Sequence, residues 1–314
     1  METQKQKVFV AALSVLSNTT LIILKLIVGV ITGSVSVLSE AVHSGVDLLA
    51  AIIALLAVRK SSKPADHDHS YGHGKYENLS GAIEALLIFI AAAWIIFEAV
   101  RKLIKPQPIE AVGWGIGVML FSSVVNIVVS HLLFKVGKKT DSIALQADAW
   151  HLLTDVYTSA GVMIGLLVLW FGEWFMPQLD WHWIDPVAAF AVALLIVKAA
   201  YQLTIQSIRD LLDVSLPPEE EMWVKNKIKE MYPQVRGFHN FRSRKSGATR
   251  FVEFHLMLDA TMSVQDSHAV NDKIVREIKC QFKDSKVMVH IEPCDDNSCE
   301  SKCLTSCFVK NPPG

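Results

Sequence analysis

Apolar residues fill six long stretches in the first two thirds of the chain. Each stretch offers about 20 or more mostly apolar residues, which is the length a helix needs to cross a hydrocarbon core of about 30 Å. The six stretches are 8–31, 34–58, 79–104, 111–136, 142–171 and 184–206. They predict an α-helical membrane protein with six transmembrane helices.

The pattern changes after Asp210, where the sequence becomes charged and alternates helix-like with strand-like periods. It predicts helices at 218–231 and 264–282, and strands at 235–244, 250–259 and 287–291, with a turn at Gly247. This is a small cytoplasmic α+β domain with αββαβ, ferredoxin-like order. The predicted domains are a transmembrane domain at 1–209, the α+β domain at 210–293 and a cysteine-containing tail at 294–314.

Composition and charge agree with a membrane protein. Hydrophobic residues make up 51% of the chain and charged residues 19%, less charge than the roughly 25% of a typical soluble domain. The net charge of −1 gives no reason to expect a nucleic-acid partner. Lysine and arginine concentrate in loops on the side of the N-terminus, including Lys60, Lys63 and Lys138, so both termini are expected in the cytoplasm.

Two predicted spans contain matching sets of ionisable residues, although an aspartate at the centre of a helix costs about 2.5–3.5 kcal/mol on membrane insertion. Span 2 reads Glu40-Ala-Val-His43-Ser-Gly-Val-Asp47, and span 5 reads Asp148-Ala-Trp-His151-Leu-Leu-Thr-Asp155. In each span the histidine and the second acid are four residues apart, so they lie on one helical face. The matched patterns predict that the two faces meet.

Two imidazoles and two carboxylates form a ligand set that suits tetrahedral Zn²⁺. The predicted ligands of a transport site are His43, Asp47, His151 and Asp155. Oxygen-rich cages would favour magnesium or manganese, and thiolates would favour copper(I). The alternative interpretation is that each His–Asp pair is only a structural hydrogen bond within the helix bundle, but two matched pairs at mid-span favour a metal.

The antiparallel orientation of spans 2 and 5 places two further acids on opposite sides of this site. Glu40 lies one turn outward of it and Asp148 one turn inward. We hypothesise that they form outer and inner vestibules that hand the ion on. The alternative is that both are packing residues. Lys25 and Asn126 are interpreted as packing or helix-bridging groups, and Glu98 with Arg101 as a surface pair.

With the loop Gly72-His-Gly-Lys75 and a histidine-bearing domain, residues 8–293 resemble the cation diffusion facilitator family, and in particular bacterial zinc–proton antiporters of the YiiP/FieF type. The resemblance implies a homodimer in the plasma membrane, here a bacterial inner membrane. The resemblance further implies that the protein exports cytoplasmic Zn²⁺ in exchange for outside H⁺ by alternating access. Such a protein is a secondary active transporter and not an enzyme. Bacterial relatives carry aspartate at the position of His43, whereas vesicular zinc transporters carry histidine. This favours zinc and leaves Cd²⁺ as an alternative substrate.

The resemblance also implies two metal sites outside the spans. In the loop between spans 2 and 3, Asp66, His69 and His73 match a family site, although a solvated histidine-rich loop is the alternative. The residues that match the binuclear zinc site of the cytoplasmic domain, where one histidine reaches across the dimer, are His239, His255, His268, His290 and Glu292. Family resemblance further suggests an ionic lock of Lys75 with Asp210 or Asp213.

The tail contains four of the five cysteines within the last 21 residues. If it is helical, Cys299, Cys303 and Cys307 share a face and form a candidate auxiliary site for a soft ion. The spacing matches no standard zinc knuckle, so a reduced tail without bound metal is the alternative. A cytosolic location argues against stable disulfides.

Three other functions are weighed against zinc–proton exchange. An intramembrane metalloenzyme is disfavoured because no span contains a His-Glu-x-x-His pattern and a closed four-ligand site leaves no position for a catalytic water. A non-transporting metal sensor would need the membrane site only for structure. Transport of Cd²⁺, Fe²⁺ or Co²⁺ would keep the mechanism and change the ion.

Overall fold

The computed structural model describes residues 2–32, 35–104, 113–175, 184–294 and 308. It divides into two compact units, Met1–Ile208 and Arg209–Gly314. The first unit is built of six long helices: α1 (Glu2–Thr32), α2 (Val35–Ser61), α3 (Lys75–Ile104), α4 (Gly113–Lys139), α5 (Ile143–Phe175) and α6 (Ile184–Leu211). The second contains α7 (Pro218–Lys229), β1 (Val235–Ser246), β2 (Thr249–Asp259), α8 (Val264–Gln281) and β3 (Ser285–Cys294). The predicted α-helical region followed by an αββαβ domain is confirmed.

Within the described residues, five helices are long and apolar enough to cross a membrane. They are the segments Thr3–Ile31, Glu40–Ser61, Lys75–Arg101, Gly117–Lys139 and Pro186–Leu211, which belong to α1, α2, α3, α4 and α6. The remaining predicted span corresponds to α5, a helix of 33 residues whose side chains are described only in part. Large apolar side chains such as Phe9, Ile31 and Trp94 remain exposed on the helices, as expected of faces that contact lipid.

The helices of the first unit pack through two apolar clusters that both include α5. One cluster joins α5 to α1, α2 and α4 and includes Ala11, Leu133 and Leu152. The other joins α5 to α3 and α6 and includes Ile88 and Ile196. Small residues, mainly alanine, are frequent in both, and they let helix backbones approach closely in a membrane. The helix that carries half of the predicted ligands therefore lies at the centre of the packing.

Gly81 marks a place where α3 comes especially close to its neighbours. A Cβ atom built on this glycine would lie 2.6 Å from Ser207 Oγ on α6 and 2.7 Å from Ile143 Cγ2 on α5. A larger residue would push these helices apart. The glycine therefore lets α3, α5 and α6 pack closely against one another.

A buried polar network joins four helix ends. Lys7 Nζ donates to Glu77 Oε1 at 3.1 Å, and Ser61 Oγ donates to the same oxygen at 2.8 Å. Ser142 Oγ donates to Glu77 Oε2. Because Glu77 and Lys7 are only 2% and 7% exposed, their charges are neutralised by each other and not by water. The network ties the starts of α1, α3 and α5 to the end of α2.

The second unit forms a three-stranded sheet in the order β1-β2-β3, with β1 antiparallel and β3 parallel to β2. Helices α7 and α8 contribute Val224, Ile228 and Ile274 to the apolar core, together with Phe254 and Leu256 of β2. Since successive strand residues point to opposite faces, His255 lies between the two core residues of β2 and points to the face opposite the core. The turn at Gly247 has φ +59°, which glycine adopts without strain.

The network around Glu77 predicts a specific stability effect. Lys7→Met would leave the Glu77 carboxylate buried without its cation, and removing one partner of a buried pair costs about 3–5 kcal/mol. We expect a clearly lower melting temperature for the purified protein in detergent. The double variant Lys7→Met/Glu77→Gln should recover much of the loss because it also removes the uncompensated charge. Equal melting temperatures for Lys7→Met and the unmodified protein would contradict a stabilising role of the pair.

Candidate metal centres

Helices α2 and α5 bring the four predicted transport-site residues into one cluster. Ligand atoms of His43, Asp47 and Asp155 all lie within 4.8 Å of one another. His151 is not a member of that mutual set but joins it through Asp47, with Nε2 3.1 Å from Oδ1. The four side chains therefore share one small region of the helical unit.

The contacts within this cluster run between the helices. His43 Nε2 of α2 lies 3.6 Å from Asp155 Oδ1 of α5, and His151 of α5 contacts Asp47 of α2. Each histidine therefore meets the aspartate of the other helix, not the one four residues away on its own. This crossed pairing differs from the alternative of two separate intrahelical hydrogen bonds. It places imidazole and carboxylate groups of both helices around a common centre.

One side of the cluster is open and the other is buried. The side chains of Asp47 and His151 are each 5% exposed, whereas that of His43 is 51% exposed. A cavity of about 160 Å³ reaches the cluster on the His43 side, and Asp155 and Asn126 also line it. An ion could enter this ligand set from the cavity without passing through the apolar packing.

Glu40, the predicted outer vestibule acid, also lines this cavity, where it is paired with a lysine. Glu40 Oε2 lies 3.3 Å from Lys25 Nζ, which also donates to Ser44 Oγ at 2.7 Å. Lys25 thus bridges α1 and α2, as interpreted from the sequence. Asn126 also lines the cavity, and its Oδ1 has no hydrogen-bond partner among the described residues.

Asp148, the predicted inner vestibule acid, is fully buried one turn before His151 on α5. It lies on the closed side of the cluster, away from the cavity lining. The two acids proposed as vestibules therefore occupy opposite sides of the candidate site.

The loop between α2 and α3 assembles a second cluster from Asp66, His69 and His73, whose ligand atoms also lie within 4.8 Å of one another. Asp66 contacts His69 Nδ1 and His73 Nε2, each at 3.2 Å. Nδ1 of His73 lies 3.2 Å from the carbonyl oxygen of Pro64, which only accepts hydrogen bonds. In a neutral ring the proton is therefore on Nδ1, and Nε2 turns its lone pair toward the Asp66 carboxylate. Two acceptors facing each other need a cation or a proton between them.

The charge state of Asp66 is compatible with cation binding. The backbone N–H of His69 donates to Asp66 Oδ1 at 2.8 Å. This hydrogen bond and the neighbouring histidines hold the pKa of the Asp66 carboxyl below its ordinary value. Asp66 is therefore ionised at neutral pH.

The third cluster is a histidine ladder across the sheet of the second unit. The strand register places His239 opposite His255 and His255 opposite His290. Their ring centroids are 4.9 Å and 4.8 Å apart. Glu292 follows His290 by two residues on the same face of β3. Its carboxylate lies 3.2 Å from His239 Nε2, 2.7 Å from His255 Nδ1 and 3.8 Å from His290 Nε2.

Glu292 is the anionic centre of this ladder. Partial burial acts to raise the pKa of its carboxyl, but hydrogen bonds from His255 and His239 outweigh it, and the pKa lies below its ordinary value. Asn240, which the sequence reasoning missed, approaches His255 Nε2 at 3.1 Å from a β-bulge where its φ is +50°. Asparagine is one of the residues that adopt this left-handed conformation most readily.

Some predicted site residues lie apart from these clusters. His268 is on α8, where it pairs with Asp272 at 3.4 Å and its side chain is 71% exposed. It does not join the ladder within one chain, so its assignment depends on contact with a second copy. Cys299, Cys303 and Cys307 lie outside the described residues. The next residue, Phe308, is buried and donates its N–H to the carbonyl oxygen of Arg236 at 2.9 Å.

Two family profiles together match most of the chain. The family profile described as "Cation efflux transmembrane domain" matches residues 11–212, and "Cation efflux protein, cytoplasmic domain" matches residues 216–294. The chain belongs to the cation efflux, or cation diffusion facilitator, family. It is therefore a membrane transporter that exports metal cations, and not an enzyme.

Two similar transporters match most of the chain. The cation-efflux pump FieF of Salmonella paratyphi A is 33% identical over 274 residues, 87% of this chain and 88% of the relative. An uncharacterized transporter of Synechocystis sp. is 34% identical over 273 residues, 87% of this chain and 86% of the relative. The metal-bound C-terminal domain of the CzcD transporter from Thermotoga maritima is 31% identical, with a TM-score of 0.23, and covers 25% of this chain and 94% of that domain.

The histidine ladder leads to a prediction about metal binding. Glu292→Gln keeps the size of the side chain but removes the charge that all three histidines face. We expect the affinity of the full-length protein for Zn²⁺ at this site to fall by roughly tenfold or more, measured by isothermal titration with competing chelator. Glu230→Gln, which alters an exposed carboxylate of the same unit paired with Lys227, should bind as the unmodified protein does. Unchanged binding by Glu292→Gln would remove Glu292 from the site.

Proposed function

We propose that this cation-efflux transporter is a Zn²⁺/H⁺ antiporter that works as a homodimer by alternating access. The observation that carries the proposal is the cluster of His43, Asp47, Asp155 and His151 between α2 and α5. Two histidines and two aspartates supply four ligands and two negative charges. That charge neutralises a dication at a depth where an isolated ion would be very costly.

The donor set supports zinc as the substrate. Imidazole nitrogen with carboxylate oxygen suits Zn²⁺ in tetrahedral geometry, whereas magnesium and manganese favour oxygen alone. Cd²⁺ is the main competing ion because it accepts the same donors. His43 adds a second imidazole nitrogen to the donor set.

Proton coupling follows from the chemistry of the ligands. A histidine binds Zn²⁺ through a neutral ring nitrogen, so metal and proton compete for the same atom. Metal affinity is therefore expected to rise with pH and to fall as the histidines take up protons. In the proposed cycle the cytoplasm-facing site binds Zn²⁺ and releases protons, and the outward-facing site takes up protons and releases the ion.

The proposed topology has both termini in the cytoplasm of a bacterial cell, with the helices in the inner membrane. In that orientation Lys25 and Glu40 belong to the outer halves of α1 and α2, so the cavity leads from the site to the outside. The network of Lys7 and Glu77 lies at the cytoplasmic end. We interpret the arrangement as an outward-facing state, in which an ion leaves through the cavity and the cytoplasmic side is closed.

The other two clusters are proposed as regulatory or delivery sites for the same metal. Zn²⁺ on the histidine ladder, with His268 supplied by the partner copy, would stabilise a dimer of the cytoplasmic domains. Because it binds one arrangement of these domains better than another, it would shift the population of transport states. The loop site of Asp66, His69 and His73 would hold metal close to the cytoplasmic membrane surface.

The transport site is tested by removing its charge. Asp47→Asn and Asp155→Asn each delete one negative charge and a strong oxygen ligand, so we expect zinc-driven proton flux to be abolished in proteoliposomes. The measurement records internal pH with a trapped dye after Zn²⁺ is added. Glu98→Gln is the control, because Glu98 is partly exposed and paired with Arg101 at 3.6 Å.

The same assay separates the rival functions. Proton flux that persists in both aspartate variants would contradict the site assignment. A protein that binds ⁶⁵Zn but never carries it into vesicles under a pH gradient would be a sensor. Hydrolysis of a peptide by the purified protein would favour a metalloenzyme.

Selectivity is tested at His43. His43→Asp replaces a nitrogen donor with an oxygen donor and adds a negative charge. We expect the ratio of Zn²⁺ to Cd²⁺ transport rates to fall, because the ligand set loses part of its preference for zinc. Both rates are measured in the same proteoliposomes with metal-selective dyes. An unchanged ratio would show that His43 does not set the choice of ion.

A further inference from the structure

A second carboxyl group is buried among the helices on the closed side of the transport site. Glu84 of α3 is fully buried. Its Oε1 accepts a hydrogen bond from Ser80 Oγ at 3.0 Å, and its Oε2 has no hydrogen-bond partner among the described residues. A carboxyl group in a membrane helix is costly and by default marks a functional site.

Glu84 belongs to a larger group that we call the buried polar cluster, with members on α1, α3, α5 and α6. The cluster consists of Ser14, Glu84, Asp148 and Ser207, each fully buried. Within the described part of the chain, Glu84 Oε2 and Ser207 Oγ have no hydrogen-bond partner. Buried polar groups are normally satisfied, so Glu84 Oε2 is an acceptor that is available to a proton.

The buried polar cluster connects two features already described. At one end Asp148 precedes His151 of the transport site by three residues, so the two side chains share a face of α5. At the other end Glu84 follows Glu77 by seven residues, two helical turns along the same face of α3. The cluster therefore spans the distance from the transport site to the network of Lys7 and Glu77.

The charges around Glu84 favour a proton as its ligand. The group that acts on it electrostatically is Asp148 of α5. Further along the packed helices are Asp47 of α2 and, near the start of α1, Lys7, whose charge is already neutralised by Glu77. The nearby group on α6 is the hydroxyl of Ser207, which carries no charge. Two neighbouring buried carboxylates cannot both be ionised without a cation between them, whereas one proton satisfies the pair.

A metal ion fits the buried polar cluster less well. Its members offer hydroxyl and carboxylate oxygens and no imidazole or thiolate. Such a set is suited to hard cations and lacks the nitrogen that would favour zinc over them. The cargo proposed above therefore has its ligands between α2 and α5 and not beside Glu84.

We propose that Glu84 is a proton-binding site that carries the exchanged protons between the transport site and the cytoplasm, with Asp148 as its partner. This inference rests on the proposed Zn²⁺/H⁺ exchange. A proton displaced when metal binds moves through Asp148 to the Glu84 carboxylate, which becomes neutral. Glu84 then gives the proton to water on the cytoplasmic side and returns to the carboxylate, ready for the next one.

The test uses Glu84→Gln, which has the size and hydrogen bonding of the protonated acid but cannot release a proton. In proteoliposomes we expect zinc-driven proton flux to fall by roughly tenfold or more, and the dependence of zinc transport on cytoplasmic-side pH to flatten. Zn²⁺ stoichiometry and affinity of the purified protein at constant pH should stay as in the unmodified protein. Glu84→Asp, which keeps a titratable group, should restore part of the proton flux. Glu98→Gln on the same helix is the matched control.

Each possible result either supports or contradicts the role of Glu84. Wild-type proton flux and pH dependence in Glu84→Gln would overturn the assignment of Glu84 while leaving zinc–proton exchange intact. Loss of one bound Zn²⁺ per chain would also overturn it, because Glu84 would then be a metal ligand. If Glu84→Gln is lost to misfolding, Glu84→Asp with its pH profile serves alone, and a profile identical to that of the unmodified protein would reject the proposal. Absence of proton flux in the unmodified protein would instead refute the proposed function.

Discussion

The cost of taking charged groups out of water governs the helical unit. Several buried charges there are compensated by a group from a different helix, as in the pair of Lys7 with Glu77 and that of His151 with Asp47. Such cross-helix compensation fixes how the helices pack, because separating them would expose a charge to hydrocarbon. In the proposed transport cycle the compensating group is exchanged for a metal ion or a proton, so the same constraint would underlie transport.

Helix α5 shows how packing and chemistry are combined in one element. It belongs to both apolar clusters of the helical unit, and its polar face carries Asp148, His151 and Asp155 in successive turns. A helix held on several sides keeps these side chains in fixed register with α2 and α3. The polar face therefore lies beside the apolar core, with Asp155 at the cavity and Asp148 fully buried.

Burying charge is a smaller constraint in the cytoplasmic unit, since its candidate ligands are close to water. One face of the sheet is covered by α7 and α8, which leaves the other face for His239, His255 and His290. Neighbouring strands bring the three rings together although the residues are far apart in sequence. Glu292 supplies the negative charge. Phe308 packs against Phe238 with 6.0 Å between the ring centroids.

The sequence by itself determined the helical spans, the αββαβ order and the identity of most candidate ligands, because the periods of 3.6 and 2 residues and the cost of charge in a membrane are local properties. The same cost could have pointed to Glu84, which lies inside a predicted span and was not singled out. Only the tertiary structure decided the crossed pairing of His43 with Asp155 and the pairing of Lys7 with Glu77, 70 residues apart. It also decided the strand register that aligns the three histidines. Such contacts depend on how helices and strands pack, and no short segment of sequence contains that information.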